Sequence, residues 1–407
     1  MKKLLIMVLS LVAFESKGQT IMVNVENDAV SRYLDEIVYY GQETESGIIS
    51  YLSGDASVRL DVPRPAVISL PTTTAEKVTV SYGEQFDFSD CQTQEVATSE
   101  GKVSIYNLIP HRTYFYKIED DGGILTSGMI STTGRMRMIY VPGVRNVRDM
   151  GGWTCAGDKV IKYGLIYRGS ELNGENVASE SDIQQLKDLG IAAEIDLREA
   201  SENDGAGISA FGFTAGNDDE TSTYLFTDNS GCCERTHLTS YFWTQRYRKE
   251  FEFIVSNLRQ GRPVYHHCIW GADRTGLLAL LLQGLLGMSY EDMVKDYELT
   301  SFYLLRTKHN IDFVFDYINS LSGETLQEKF LNYFQNRLYV GRSDIEYFLS
   351  EMLEDAVVVG IDAAEHSSEM NEERFYDLQG RPSTADRKGM KIVVDRDGNS
   401  HRKVIVR

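Results

Sequence analysis

The sequence predicts an α/β domain with a largely parallel sheet flanked by helices, preceded by a small β-sandwich. Three observations predict it. Between residues 58 and 135, apolar and polar residues alternate in runs broken by Pro and Gly, the period of half-buried strands. From about residue 140, short apolar runs alternate with amphipathic helical ones, the pattern of strand–helix–strand units. Past residue 356 the chain turns polar, then resumes short strand-like runs.

At 407 residues, 42% hydrophobic and 25% charged, the chain has material for two or three domains and a large core. A net charge of −19 makes non-specific binding to nucleic acid or anionic membrane a poor prospect. An anionic substrate must therefore be captured by a local positive site. The opening "MKKLLIMVLSLVAFESKGQ" has two lysines, a short apolar run and small residues near Gly18. It reads as a signal peptide over 1–18, the alternative being an uncleaved anchor too short to span. Export to the periplasm, the cell surface or the medium is expected, and the most apolar later run, Gly276 to Met288, reads as a buried helix.

An N-terminal segment covers 19–57. The sandwich, 58–135, includes "VRLDVPRPAVISLPTTTAEKVTVSYG" and "GKVSIYNLIPHRTYFYKIEDDGG". The stretch "NLIPHRTYFYKI" resembles the E–F corner of fibronectin type III-like domains, in which Tyr114 or Tyr116 would bond nearby backbone through its hydroxyl. The α/β domain spans 140–356. Strand-like "EIDL" (194–197) and "RPVYHHC" (262–268) alternate with helical "ESDIQQLKDLG", ending at Gly190, and "TSYFWTQRYRKEFEFIVSNLRQG", ending at Gly261. Helices from "YEDMVKDYELTSFYL" to "RSDIEYFLSEML" close the domain. The tail, 366–407, follows a polar linker. It resembles the C-terminal sorting domains of type IX-secreted proteins, with a plain terminal hairpin as the alternative.

The chemistry gathers at "HHCIWGADRTG" (266–276). A strand running into a short loop and then a helix aims backbone N–H groups, and the helix's positive end, at one point, which makes an anion site. Ile269, Trp270, Gly271 and Ala272 would form the cradle. Arg274 would add a planar fork for two phosphate oxygens. Cys268 at the loop's start is the candidate nucleophile, its thiolate favoured by that positive surround. Gly271 permits a tight turn, Thr275 would stabilise the departing thiolate, and His267 would orient the loop through backbone contacts. Of the five cysteines, Cys91, Cys155, Cys232, Cys233 and Cys268, the odd number leaves a free thiol, for which Cys268 is the candidate. The Cys232–Cys233 pair has no evident metal partners and reads as incidental. No metal or cofactor is expected.

"HCIWGADRTG" resembles the signature loop of Cys-dependent protein tyrosine phosphatases, and its Asp-Arg-Thr-Gly ending is most similar to the bacterial tyrosine and dual-specificity-like branch. "GVRNVRDMGGW", "YGLIYRGSEL", "LGIAAEIDLREASE" and "VKDYELTS" fit the same branch, so the likeness covers about 140–355. It implies a phosphocysteine intermediate on Cys268, with Arg274 and the loop amides holding the phosphoryl oxygens and an acid protonating the leaving oxygen. Two departures matter. The usual Lys is Ala272, which weakens a reading as an inositol phosphate or phosphoinositide phosphatase. No Trp-Pro-Asp supplies an acid, which leaves Asp273 favoured and Asp228 as the alternative, with capping of the following helix as the structural alternative for Asp273.

Asp149 and Arg148 are expected to fix a turn under the site. Asp196 and Arg198, at the end of a neighbouring strand, are either substrate-side or an internal ion pair. A phosphotyrosine protein or small phosphomonoester is the expected substrate, with Trp270, Phe226, Tyr241 and Trp243 as a candidate ring-stacking wall. Were inositol phosphates preferred, Arg148, Arg198 or Arg235 would have to replace the missing lysine. The rivals are a phosphoprotein-binding or adhesive module without turnover, and a sulfurtransferase, whose loop lacks the Gly and Arg-Thr-Gly pattern.

Overall fold

The computed structural model describes residues 20–38, 46–54, 58–175, 177–202, 205–216, 221–229 and 233–356, together with four strands of the tail. The proposed signal peptide and Cys232 lie outside the described residues. Seven strands open the chain: β1 (Thr20–Asn24), β2 (Ala66–Ser69), β3 (Lys77–Gly83), β4 (Gln92–Ala97), β5 (Lys102–Ile105), β6 (Thr113–Asp120) and β7 (Gly123–Thr133). They form one sheet in the order β1-β7-β6-β3-β4 and a smaller β2-β5 pair. Val80, Ile118 and Ile130 from the first sheet and Ala66, Ile68 and Ile105 from the second close a shared core. The alternation of the sequence produces this, since every second side chain of a strand faces one side.

The sheet begins earlier than the expected boundary at residue 58. β1 pairs parallel with β7, Thr20 opposite Met129, and buries Val23 in the sandwich core. Five residues are too few for their alternation to stand out beside the apolar run that precedes them in the sequence. The segment that follows belongs to the α/β core. Asn27 caps α1 (Asp28–Leu34) by accepting from the N–H groups of Ala29 and Val30, both at 3.0 Å. Val30, Tyr33 and Leu34 of that helix pack with Phe302 and Leu299 of the α/β layer. In the sandwich, the Tyr114 hydroxyl accepts from the backbone N–H of Ile109 at 2.9 Å.

The α/β layer comprises β8 (Arg148–Asp149), β9 (Thr154–Cys155), β10 (Lys159–Ile161), β11 (Ile166–Gly169), α2 (Glu180–Asp188), β12 (Ala193–Asp196), β13 (Tyr224–Phe226), α3 (Arg235–Thr239), α4 (Tyr241–Arg259), β14 (Val264–His267), α5 (Asp273–Leu286), α6 (Tyr290–Glu298), α7 (Asp312–Asn319), α8 (Leu326–Asn336), α9 (Arg342–Met352) and β15 (Leu353–Asp355). Its main sheet runs β13-β12-β14-β11-β8, parallel except for β8. A small sheet, β15-β10-β9, lies apart from it. Ser179 and Asp182 cap α2 reciprocally, and Gly190 and Gly261, in left-handed conformation, follow α2 and α4 as expected. The apolar run is indeed a buried helix, but α5 starts at Asp273, three residues ahead of Gly276. Its leucines 277, 278, 280, 281, 282, 285 and 286 are all buried, each contributing on the order of 1.5–3 kcal/mol. Among the described residues no helix is long and apolar enough to cross a membrane.

The tail forms its own unit after Asp355. β16 (Arg374–Tyr376), β17 (Pro382–Ser383), β18 (Gly389–Val394) and β19 (Ser400–Ile405) make an antiparallel sheet in the order β17-β16-β18-β19.

Candidate active site

The central strand β14 delivers Cys268. Its last residue, His267, lies level with Gly169 of β11 and Asp196 of β12, so three parallel strands end together at the loop. The crevice beyond such carboxyl ends is where open α/β sheets bind ligands.

The loop's carbonyls are tied to the protein. Ile269 O accepts from Glu171 N at 3.0 Å, and Trp270 O and Gly271 O accept from the Asn146 side chain at 3.2 and 3.1 Å. Gly271 O also accepts from Arg168 at 3.0 Å. With the carbonyls turned away, none of the N–H groups from Ile269 to Thr275 has an acceptor among the described residues. Gly271 has φ +66°, and a Cβ there would lie 2.4 Å from the backbone of Gly169, so both conformation and space require glycine. The result is a set of free donors ahead of α5, where the helix's positive end adds to them.

Arg274 lies in the first turn of α5. Glu202 takes the Nη1 and Nη2 end of its guanidinium, the second contact at 2.9 Å, and Nη1 also donates to Asn229 O at 3.0 Å. Among the described residues Nε has no acceptor and Nη2 keeps its second hydrogen, which leaves one bidentate edge for phosphoryl oxygens. Cys268 is buried, 3% exposed, and its sulfur acts electrostatically on Arg168, Arg274 and Arg306. The Thr275 hydroxyl is buried and has no hydrogen-bond partner among the described residues. Cys91 and Cys155 are free as well, but burial pushes the Cys155 thiol up to about 12, an inert environment. Cys233 is disulfide-bonded.

The two candidate acids stand in different settings. Both Asp273 oxygens are bound by Arg306, one from Nη2 at 2.6 Å, and the Tyr297 hydroxyl donates to Oδ1 at 3.4 Å. Asp228 follows β13 with φ +48°, an uncommon conformation for a non-glycine residue. Its Oδ1 accepts from Ala200 N at 2.9 Å, while Oδ2 has no protein partner among the described residues.

Several supporting residues take other roles than expected. His267 accepts from Leu197 N through its carbonyl at 2.8 Å, and its Nε2 lies 2.9 Å from Glu194 Oε1 in a fully buried pair. Asp196 and Arg198 form an internal ion pair at 2.8 Å, and Arg198 also binds Glu171. Burial alone would raise Asp196, but Arg198 and His267 hold it at about 2. Fully buried side chains cannot face substrate. Asp149 does fix a turn, accepting from Gly151 N and Gly164 N at 2.9 and 2.8 Å. Arg148 shares the buried Asp296 with Arg168 at 3.0 and 3.1 Å, Arg198 is held in its buried pairs and Arg235 lies over the Tyr317 ring, so none of Arg148, Arg198 and Arg235 is placed as a substitute for the missing lysine.

Trp270 pairs with Tyr303, ring centroids 6.3 Å apart, rather than with Phe226, Tyr241 or Trp243. Trp243 packs on His237 and Phe242. Four site residues escaped the sequence reading: Asn146, Glu202, Tyr303 and Arg306. Asn146 sits inside the quoted "GVRNVRDMGGW". Glu202 and Tyr303 also sit inside quoted stretches, "LGIAAEIDLREASE" and "YEDMVKDYELTSFYL", but like Arg306 they join the loop only through contacts between residues far apart in the chain.

Among known proteins, residues 139–355 match the family model described as the tyrosine phosphatase family. The chain is 29% identical over 165 residues to a putative tyrosine-protein phosphatase of Cupriavidus necator, a match covering 38% of this chain and 59% of that protein. It is 26% identical over 196 residues to the triple specificity protein phosphatase PtpB of Mycobacterium tuberculosis, covering 40% of this chain and 68% of that one. The crystal structure of P. aeruginosa TpbA matches 44% of this chain and 97% of its own with a TM-score of 0.29 and 14% identity.

Proposed function

The chain belongs to the tyrosine phosphatase family, and on that premise we propose that it is an exported Cys-dependent phosphomonoesterase acting on phosphotyrosine. The observation that carries this reading is the row of unpartnered N–H groups from Ile269 to Thr275 around Cys268, with the open edge of Arg274 beside them. The Cys268 thiolate attacks phosphorus, forming the P–S bond as the bond to the leaving oxygen breaks. The loop amides and Arg274 hold the three equatorial oxygens as charge develops on them.

Asp228 gives its proton to the leaving oxygen, because its Oδ2 has no partner among the described residues whereas both oxygens of Asp273 are engaged by Arg306. In the second step Asp228 takes a proton from the attacking water. Phosphate then leaves as the P–S bond breaks, and the Thr275 hydroxyl donates to the departing thiolate. Export follows from the leader-like residues 1–18; the sandwich serves as a fibronectin type III-like module and the tail as a sorting segment.

The test is hydrolysis of p-nitrophenyl phosphate by the full chain, with and without vanadate. Turnover that vanadate blocks and Cys268→Ser abolishes is the expected result. Undiminished turnover in Cys268→Ser would end this reading.

A further inference from the structure

Asp61 belongs to the stretch between α1 and the sandwich, outside the residues of the family match, yet it lies at the phosphate loop's border. It is 1% exposed and accepts from two arginines at once. Arg59 donates Nε and Nη2 to it, both at 3.1 Å, and Arg145 donates Nε and Nη2 at 3.1 and 3.3 Å. Asn146 N adds a fifth bond at 3.0 Å, and the Asn146 side chain reaches the carbonyls of Trp270 and Gly271. Two cations on one carboxylate leave a surplus positive charge beside the loop, in a protein of net charge −19.

Arg59 spends its remaining donors on the carbonyls of Val141, Pro142 and Val144. Arg145 does not. Its guanidinium lies 4.5 Å over the Tyr303 ring, which in turn faces Trp270 of the loop, and its Nη1 has no acceptor among the described residues. Fixed on one edge by Asp61 and on one face by Tyr303, it is a pre-oriented donor that loses little freedom on binding.

We propose that Arg145 is a second anion-binding point beside the phosphate loop, taking a further anionic group of the substrate: a carboxylate flanking the phosphotyrosine, or a second phosphate. This rests on the phosphatase reading and names the substrate feature that the same site selects. Asp61 is the positioning residue for it.

The test compares kcat/KM of the full chain on a phosphotyrosine peptide with flanking Glu residues and on the same peptide with Ala in their place. One charge-assisted contact corresponds to a preference of about tenfold for the acidic peptide. In Arg145→Gln, which keeps donors for Asp61 but no charge, the ratio should fall close to one. In Arg145→Lys, which keeps the charge without the fork, it should fall partway, and that variant is read in the same sense if Arg145→Gln does not fold. A wild-type ratio near one, or a ratio retained in both variants, overturns the proposal. An inositol bisphosphate run alongside separates the sources: a larger Arg145-dependent loss on it than on the acidic peptide identifies a second phosphate as the group bound. Absence of turnover on both peptides and on p-nitrophenyl phosphate would instead bring down the phosphatase reading, a result distinct from lost selectivity.

Discussion

Both carboxylate oxygens of Asp273 are held by the guanidinium of Arg306, while Oδ2 of Asp228 has no partner among the described residues. The two residues compete for one task, and the proposed mechanism gives it to Asp228 on this difference. An acid must bring a proton to the leaving oxygen without first breaking a two-bond ion pair. Asp228→Asn should therefore lower turnover of a phosphotyrosine peptide roughly 10²–10⁴-fold. The loss should be far smaller on an aryl phosphate whose leaving oxygen needs no proton. Asp273→Asn should lower both substrates alike, by loosening the loop. Leaving-group dependence in Asp273→Asn but not in Asp228→Asn reverses the assignment.

Glu202 sets the direction of Arg274. It occupies the Nη1 and Nη2 end and leaves the Nε edge for the phosphoryl group. Glu202→Gln keeps an acceptor for only part of that contact. Turnover should fall roughly ten- to hundredfold, the scale of a small misplacement of a catalytic group. Binding of vanadate, measured by inhibition, should weaken as well. Unchanged vanadate affinity would mean that Arg274 is aimed by the carbonyls of Leu197 and Asn229 alone.

Gly271→Ala tests the cradle itself. The added Cβ would meet Gly169 at 2.4 Å, and φ +66° costs a non-glycine residue about 1 kcal/mol or more. The backbone carrying the N–H groups must shift, so phosphatase activity should be lost while the α/β core, remote from the loop, still folds. Circular dichroism separates the two effects, and an active Gly271→Ala variant would contradict the need for this backbone path.

Much of this site is legible along the chain because the loop is local. Cys268, Gly271, Arg274 and Thr275 act within one strand–loop–helix unit, and the alternation and helix-ending glycines around them report the same unit. What is not legible is the second layer. Arg306 reaches Asp273 across 33 positions, Glu202 reaches Arg274 across 72, and Asn146 reaches Gly271 across 125. No period or spacing encodes such pairs, so Asp273 read as a free acid and Ala272 as an uncompensated loss of charge. Likewise β1 is defined by its partner β7, more than a hundred residues away, and not by its own five side chains.

Substrate class follows from the mouth of the site. Trp270 is 37% exposed and faces Tyr303, which offers ring surface to an aryl phosphate. Phosphotyrosine peptides should therefore exceed phosphoserine peptides in kcat/KM, and Trp270→Ala should narrow that gap. An inositol polyphosphate that outperforms both would place selection on charge rather than on the ring.

Glu250, on α4, gives the enzyme a pH signature of its own. Asn229 donates to its Oε1 at 3.0 Å, and the carbonyl of the same Asn229 accepts from Arg274. Thr227, Arg246, Tyr247 and Tyr333 are the other polar groups around it. Burial pushes its pKa from 4.5 up to about 7, opposed by its bond to Asn229. The folded state thus holds this proton more tightly than the unfolded chain does. The stability it contributes is fully present below about pH 4.5 and is lost as pH rises through about 7. The span between those values corresponds to about 3 kcal/mol. Glu250→Gln, neutral throughout, should be close to wild type near pH 4.5 and more stable than wild type above pH 7, by up to that amount. Urea unfolding at several pH values reads this directly. A difference that does not grow with pH would mean that Glu250 is ionised in the folded protein and paired more strongly than its neighbours suggest.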